Sequence, residues 1–99
     1  MKVYLQRLNS ETDRLWFYSI QIQPDLLGRW HVVREWGRAG SPGTLRQTPH
    51  DALQDALDAM QALRDRLLHE GYSVVMQEGV KASLAPFIRV EKKADAPDS

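Results

Sequence analysis

The feature that most limits what this chain can fold into is one run, residues 48–69, that carries a single apolar stripe at helical spacing. Leu53, Ala56, Leu57, Met60, Leu63 and Leu67 recur at spacings of three and four, whereas Asp55, Asp58 and Asp65 lie mostly off that stripe. Such a helix gains most of its stability from covering the stripe, so the rest of the chain must supply a partner. Thr48 as N-cap, Pro49 at the first helical position and Asp51 three residues after the cap predict where the helix starts. The Asp51 carboxylate also suits the positive end of the helix dipole. Gly71 predicts the stop. Everything of size before the helix reads as strands, so the expected class is α+β: an antiparallel sheet of four to five strands with one long helix packed on it.

The strand signals are period-two alternations separated by turn residues. Residues 15–22 place Trp16, Tyr18, Ile20 and Ile22 on one parity, in a segment rich in aromatic and β-branched types, so this parity is expected to be a buried strand face. Residues 2–8 carry Val3 and Leu5 on one parity, and Asn9, Ser10 and Asp13 follow as turn formers. Pro24, Asp25 and Gly28 interrupt, residues 30–38 resume with Trp30, Val32 and Val33, and the glycine-rich run 37–43 (GRAGSPG) forces a reversal into a short return strand over 44–47. No segment before residue 48 is long enough for a crossover helix, which favours an antiparallel meander. Residues 72–76 read as a further strand, 86–90 as extended chain, and 91–99 (EKKADAPDS) as a frayed tail.

Composition sets outer bounds. The chain has 99 residues, 42% of them apolar and 26% charged, as expected of one soluble domain with one core. With no cysteine, disulfides, Cys-ligated zinc and thiol nucleophiles drop out together. The N-terminal residues alternate polar and apolar without the apolar run of a signal peptide, and no stretch approaches the ~20 apolar residues of a membrane span. The expectation is a cytoplasmic protein with no membrane role. Thirteen Lys and Arg balance thirteen Asp and Glu, but unevenly: residues 1–50 hold seven cations against four carboxylates, and residues 51–73 hold two against five. A basic sheet and an acidic helix leave room for local phosphate binding despite overall neutrality.

The residues with most chemical content are Trp36, Gly37 and Arg38, at the end of the third strand. An aromatic plane, a position without a side chain and a permanent cation suit stacking, close approach and anion binding respectively. Parity puts Trp30, Val32, Arg34, Trp36 and Arg38 on one strand face, with Arg46 within reach across the hairpin. Arg34, Trp36, Gly37, Arg38 and Arg46 are therefore the candidate nucleic-acid-binding residues. The competing reading makes Trp36 a core residue and Gly37 a strand-end bulge.

At these residues the chain resembles a known family. Trp36-Gly37-Arg38, preceded by Arg34-Glu35 and followed by Ala39-Gly40, is similar to the signature of the WGR domain. The likeness spans roughly residues 1–76: N-terminal strands, the WGRAG turn, a Thr-Leu-Arg return strand and a long Ala- and Leu-rich helix ending at Gly71-Tyr72. WGR domains occur in poly(ADP-ribose) polymerases, where they contact DNA at a break and neighbouring domains, and in bacterial proteins. The resemblance implies that Trp36 stacks on a nucleotide sugar, that Arg38 meets backbone or a partner domain, and that Gly37 permits the approach. It implies no ADP-ribosyl transfer, because the polymerase catalytic domain has no counterpart in these residues. The expected organisation is a WGR-like domain over 1–76 and a C-terminal extension over 77–99, frayed from about residue 91.

Nothing else rises to the same level. His31, His50 and His69 lack metal-ligand spacing, the glycines at 37, 40 and 43 lack the Gly-Lys-Ser/Thr of a phosphate loop, and the helix carboxylates Asp51, Asp55, Asp58 and Asp65 suit a solvated face. No catalytic residue, metal or cofactor is assigned. The expected function is a non-enzymatic nucleic-acid-binding module for DNA ends, nicks or backbone, with RNA also possible. The alternative is a protein-interaction or homodimerisation module using the same Trp/Arg surface.

Overall fold

Pairing of the alternating segments turns their two parities into the two faces of one sheet. The computed structural model describes residues 1–78. The elements are β1 (Lys2–Asn9), β2 (Arg14–Pro24), β3 (Trp30–Arg38), β4 (Thr44–His50), the helix α1 (Leu53–His69) and β5 (Ser73–Glu78). The five strands form an antiparallel sheet in the order β4-β3-β2-β1-β5, so the meander β1 to β4 is extended by β5, which returns after the helix to pair with β1. The class is α+β, one helix on one antiparallel sheet.

The core lies between α1 and one sheet face. Val3, Leu5, Tyr18, Ile20, Ile22 and Val32 come from the strands, and Ala56, Met60, Leu63 and Leu67 from the helix. These helix residues are the centre of the stripe seen in the sequence, with Leu53 and Leu57 half-buried at its edge. Gly71, at φ +98°, ends the helix in a left-handed conformation and turns the chain towards β5. A guanidinium N–H of Arg7 donates to the Glu70 carbonyl at 3.3 Å, satisfying one of the orphan acceptors of the helix C-terminus.

The helix does not start at Thr48. Thr48, Pro49 and His50 are the last residues of β4, paired with Val32, His31 and Trp30, and the helix begins at Leu53 after an Ala52 cap that makes no side-chain hydrogen bond. The reason is that β4 is an edge strand. A β-branched threonine and a proline, which lacks the N–H a central strand would need, suit such an edge as well as they suit a helix start. The return strand accordingly runs three residues beyond 47. The fifth strand runs to Glu78, so Gln77 and Glu78, assigned to the extension, belong to the sheet. The extended chain expected over 86–90 and the tail from 91 lie outside the described residues.

Candidate nucleic-acid interface

The register arranges the helix-side face in rows that cross the sheet. One row is Val3–Ile20–Arg34–Arg46, the next Leu5–Tyr18–Trp36–Thr44, and the third Arg7–Trp16–Arg38. Residues directly opposite one another share a face, so these rows continue the surface that α1 packs on. The β1 and β2 members of the first two rows are buried under the helix. Arg34, Trp36, Trp16 and Arg7 are half-buried, and Arg38 and Arg46 are exposed. The same face is thus core at one end and aromatic-basic surface at the other.

All five strand arginines, Arg7, Arg14, Arg34, Arg38 and Arg46, have this parity, and among the described strand residues no carboxylate shares it. Trp36 stacks on Tyr18, with centroids 5.4 Å apart and an interplanar angle of 11°. Tyr18 in turn meets Tyr72 edge-on at 6.2 Å. The Arg34 guanidinium lies 5.4 Å from the Trp36 ring centroid, and its Nη1 donates to the Tyr18 hydroxyl at 3.4 Å. The Arg7 guanidinium lies 5.2 Å from the Tyr72 centroid. Burial pushes the Tyr72 hydroxyl above its ordinary pKa, with Arg7 pulling the other way, so the phenol stays neutral and adds no anion to this face.

The sequence-predicted residues fall into two groups. Arg34 and Trp36 are in contact, Arg46 sits directly across from Arg34, and Arg38 is one row further, its Nη2 donating to Ser41 Oγ at 3.4 Å. Among the described residues Arg34, Arg38 and Arg46 have no carboxylate partner. Gly37 has the opposite parity. A Cβ there would lie 3.1 Å from Gly43 Cα, and one on Gly43 would lie 2.7 Å from the Trp36 carbonyl oxygen and 2.9 Å from Phe17 Cζ. The two glycines let the β3–β4 hairpin close beneath the Phe17 ring, which stacks on Tyr4 at 6.1 Å. Trp16, Arg7 and Tyr72 were not singled out by sequence. The parity of Trp16 with Tyr18 pointed to the core, and only the register places it beside Arg38.

Beyond this surface, an open groove of about 400 Å³ runs between β3, β4 and α1 and brings Arg66 and His50 to the side of Arg34. At the far end of the β2–β3 hairpin, Asp25 Oδ1 accepts the N–H groups of Leu27 and Arg29 at 2.8 and 2.9 Å, and Oδ2 lies 2.8 Å from His31 Nε2. His31 therefore serves a turn. Among the described residues no three His, Asp or Glu side chains gather as a metal site, and no helix is long and apolar enough to cross a membrane.

With the tripeptide placed, the comparison with known proteins is decisive: residues 1–79 match the WGR domain. The chain belongs to the WGR domain family. This is a non-catalytic module that binds nucleic acid in poly(ADP-ribose) polymerases. An uncharacterised protein, y4dW of Sinorhizobium fredii (strain NBRC 101917 / NGR234), is 29% identical over 69 residues, covering 66% of this chain. The aligned part is only 34% of that relative's length. In the WGR tripeptide of this chain, strand alternation sends Trp36 and Arg38 to the helix-side face and Gly37 to the other.

Proposed function

We propose that this WGR domain binds nucleic acid, with DNA ends, nicks or backbone as its targets, through Trp36, Arg34, Arg38 and Arg46. The observation that carries the reading is the unopposed charge around Trp36. Arg34 and Arg46 face each other directly across β3 and β4, an arrangement of like charges that weakens a sheet unless an anion is bound between them. A phosphate supplies that anion, and the planar forks of the arginines suit it. Trp36 is held flat by Tyr18, so a sugar or base that stacks on it meets a pre-positioned plane. Gly37 acts indirectly, by letting the hairpin close so that Trp36 and Arg38 flank the turn.

Fluorescence anisotropy with blunt, nicked and closed duplexes over a salt series tests this. Trp36→Ala is expected to weaken binding by about 5- to 150-fold, the equivalent of ~1–3 kcal/mol for one stacking contact. Arg38→Ala is expected to make the salt dependence shallower by ~0.9 in log–log slope, one phosphate's worth on B-DNA. Circular dichroism checks that both variants remain folded. Absence of wild-type binding at low salt, or unchanged binding in both folded variants, overturns the proposal.

A further inference from the structure

We infer that Trp16, set between Arg7 and Arg38 in the third row of the sheet, is a second stacking station, and that the face it shares with Trp36 takes an unpaired strand of nucleic acid. This rests on the nucleic-acid reading of the Trp36 surface and adds a residue and a strand state to it.

The fold has no evident use for Trp16. It is half-buried, yet it is absent from both the core and the partly buried residues packed on it, a set that includes Trp30 and Trp36. Among the described residues its ring has no aromatic or cation partner. A tryptophan left this way beside cations is what a stacking platform requires. Arg7 and Arg38 lie opposite it on either side, and Arg14 lies two residues before it on the same strand. Arg7 is fixed by Tyr72 and the Glu70 carbonyl, so its charge is already in place before a ligand arrives.

Spacing selects the strand state. Because Trp16 is opposite Arg38 and Trp36 opposite Tyr18, the two tryptophans are diagonal neighbours across β2 and β3. Diagonal neighbours are ~7–8 Å apart, about twice the ~3.4 Å rise between bases stacked in a duplex strand. Successive bases cannot remain stacked on each other and also occupy both stations. An unpaired strand, whose bases separate freely, can reach both while its phosphates pass the arginines.

The test compares a dye-labelled DNA single strand, a duplex carrying that strand as an overhang, and the blunt duplex, with wild type, Trp16→Ala, Trp16→Phe and Trp36→Ala. Wild type is expected to prefer the single strand and the overhang to the blunt duplex. Trp16→Ala should weaken those two by about 5- to 150-fold and leave the blunt duplex unchanged, while Trp16→Phe, which keeps a ring, retains most of the binding. Thermal melts establish that each variant is folded. If Trp36→Ala weakens binding and Trp16→Ala does not, or if Trp16→Phe loses as much as Trp16→Ala, this inference falls and the Trp36 reading stands. If wild type prefers the blunt duplex, the unpaired-strand assignment falls, and if it binds none of the three, both readings fall.

Discussion

Gly43→Ala should destabilise this domain more than Gly37→Ala, although Gly37 is the glycine of the family tripeptide. Neither residue has a positive φ, so the effect is steric and not conformational. A methyl at Gly43 would meet the Trp36 carbonyl oxygen at 2.7 Å and Phe17 Cζ at 2.9 Å, whereas one at Gly37 meets Gly43 Cα at 3.1 Å and nothing else closer than 3.7 Å. Overpacking of this kind costs ~1–3 kcal/mol, offset by the ~0.4–1 kcal/mol gained when alanine restricts the unfolded chain. Because the backbone oxygen of Trp36 cannot swing away as a side chain can, Gly43→Ala should lose ~1–2 kcal/mol. In a domain of this size that lowers Tm by roughly 4–16 °C. Gly37→Ala, which needs a shift of a few tenths of an ångström, should fall between no loss and ~1 kcal/mol. The double variant should exceed the sum, since both methyls compete for one gap. Urea and thermal melts measure all three, and binding by Gly37→Ala should simply follow its folded fraction. Gly43→Ala melting at or above wild type, or Gly37→Ala retaining its wild-type Tm while binding fails, would refute the packing account of these glycines.

Two further expectations concern the turn and the helix start. The Asp25 carboxyl is drawn down from 3.8 to about 2, first by the Arg29 N–H, then by the His31 side chain and the Leu27 N–H. A folded-state value below the unfolded one means the stabilisation is complete above about pH 4 and is lost as pH falls towards 2. The stability gap between wild type and Asp25→Ala, read from urea midpoints, should therefore narrow over that window, and a constant gap would contradict the assignment. Thr48→Val separates strand from cap: removing an N-cap hydroxyl costs ~1 kcal/mol, whereas a β-branched replacement in an edge strand is neutral or slightly stabilising. Unchanged helical ellipticity and an unchanged or raised Tm are expected.

Much of the fold was legible because its punctuation is local. The third strand is bounded by Pro24–Gly28 before it and the glycine-rich run after it, and it occupies 30–38 as predicted. Gly71 marks the helix end for a reason contained in one residue, its left-handed φ. The helix start was misread because Thr48-Pro49 satisfies two local rules at once, and only pairing with Val32 and His31 decides between them. Trp16 was assigned the correct parity and the wrong environment: periodicity identifies a face but not how far along it the helix extends. Arg7 and Tyr72 join the surface through the β1–β2 register and the exit of the chain from α1, both long-range facts. The position of Gly37 next to Trp36 and Arg38 suggested ligand approach, while the residue its missing side chain accommodates, Gly43, is supplied by the opposite arm of the hairpin.

What leaves the third row of this face, Arg7–Trp16–Arg38, outside the core is the point at which the helix stops. Successive rows on one face are two strand residues apart, ~6.8 Å at ~3.4 Å per residue, close to the ~5.4 Å of a single helical turn. One more turn of α1 would therefore advance by about one row, over Arg7, which already touches the helix end. The stop at Gly71 prevents this, and it is reinforced from below: the Arg7 guanidinium bonds the Glu70 carbonyl, and a Cβ on Gly71 would lie 3.4 Å from Arg7 Cδ. Arg7 is at once a cap for the helix and the first cation of the uncovered row. The apolar pattern of the strands cannot encode this boundary, since Tyr18 and Trp16 are two aromatic residues of equal parity, one buried and one not. For the third row it is set where the helix ends, so the residue that terminates the helix also leaves Trp16 outside the core.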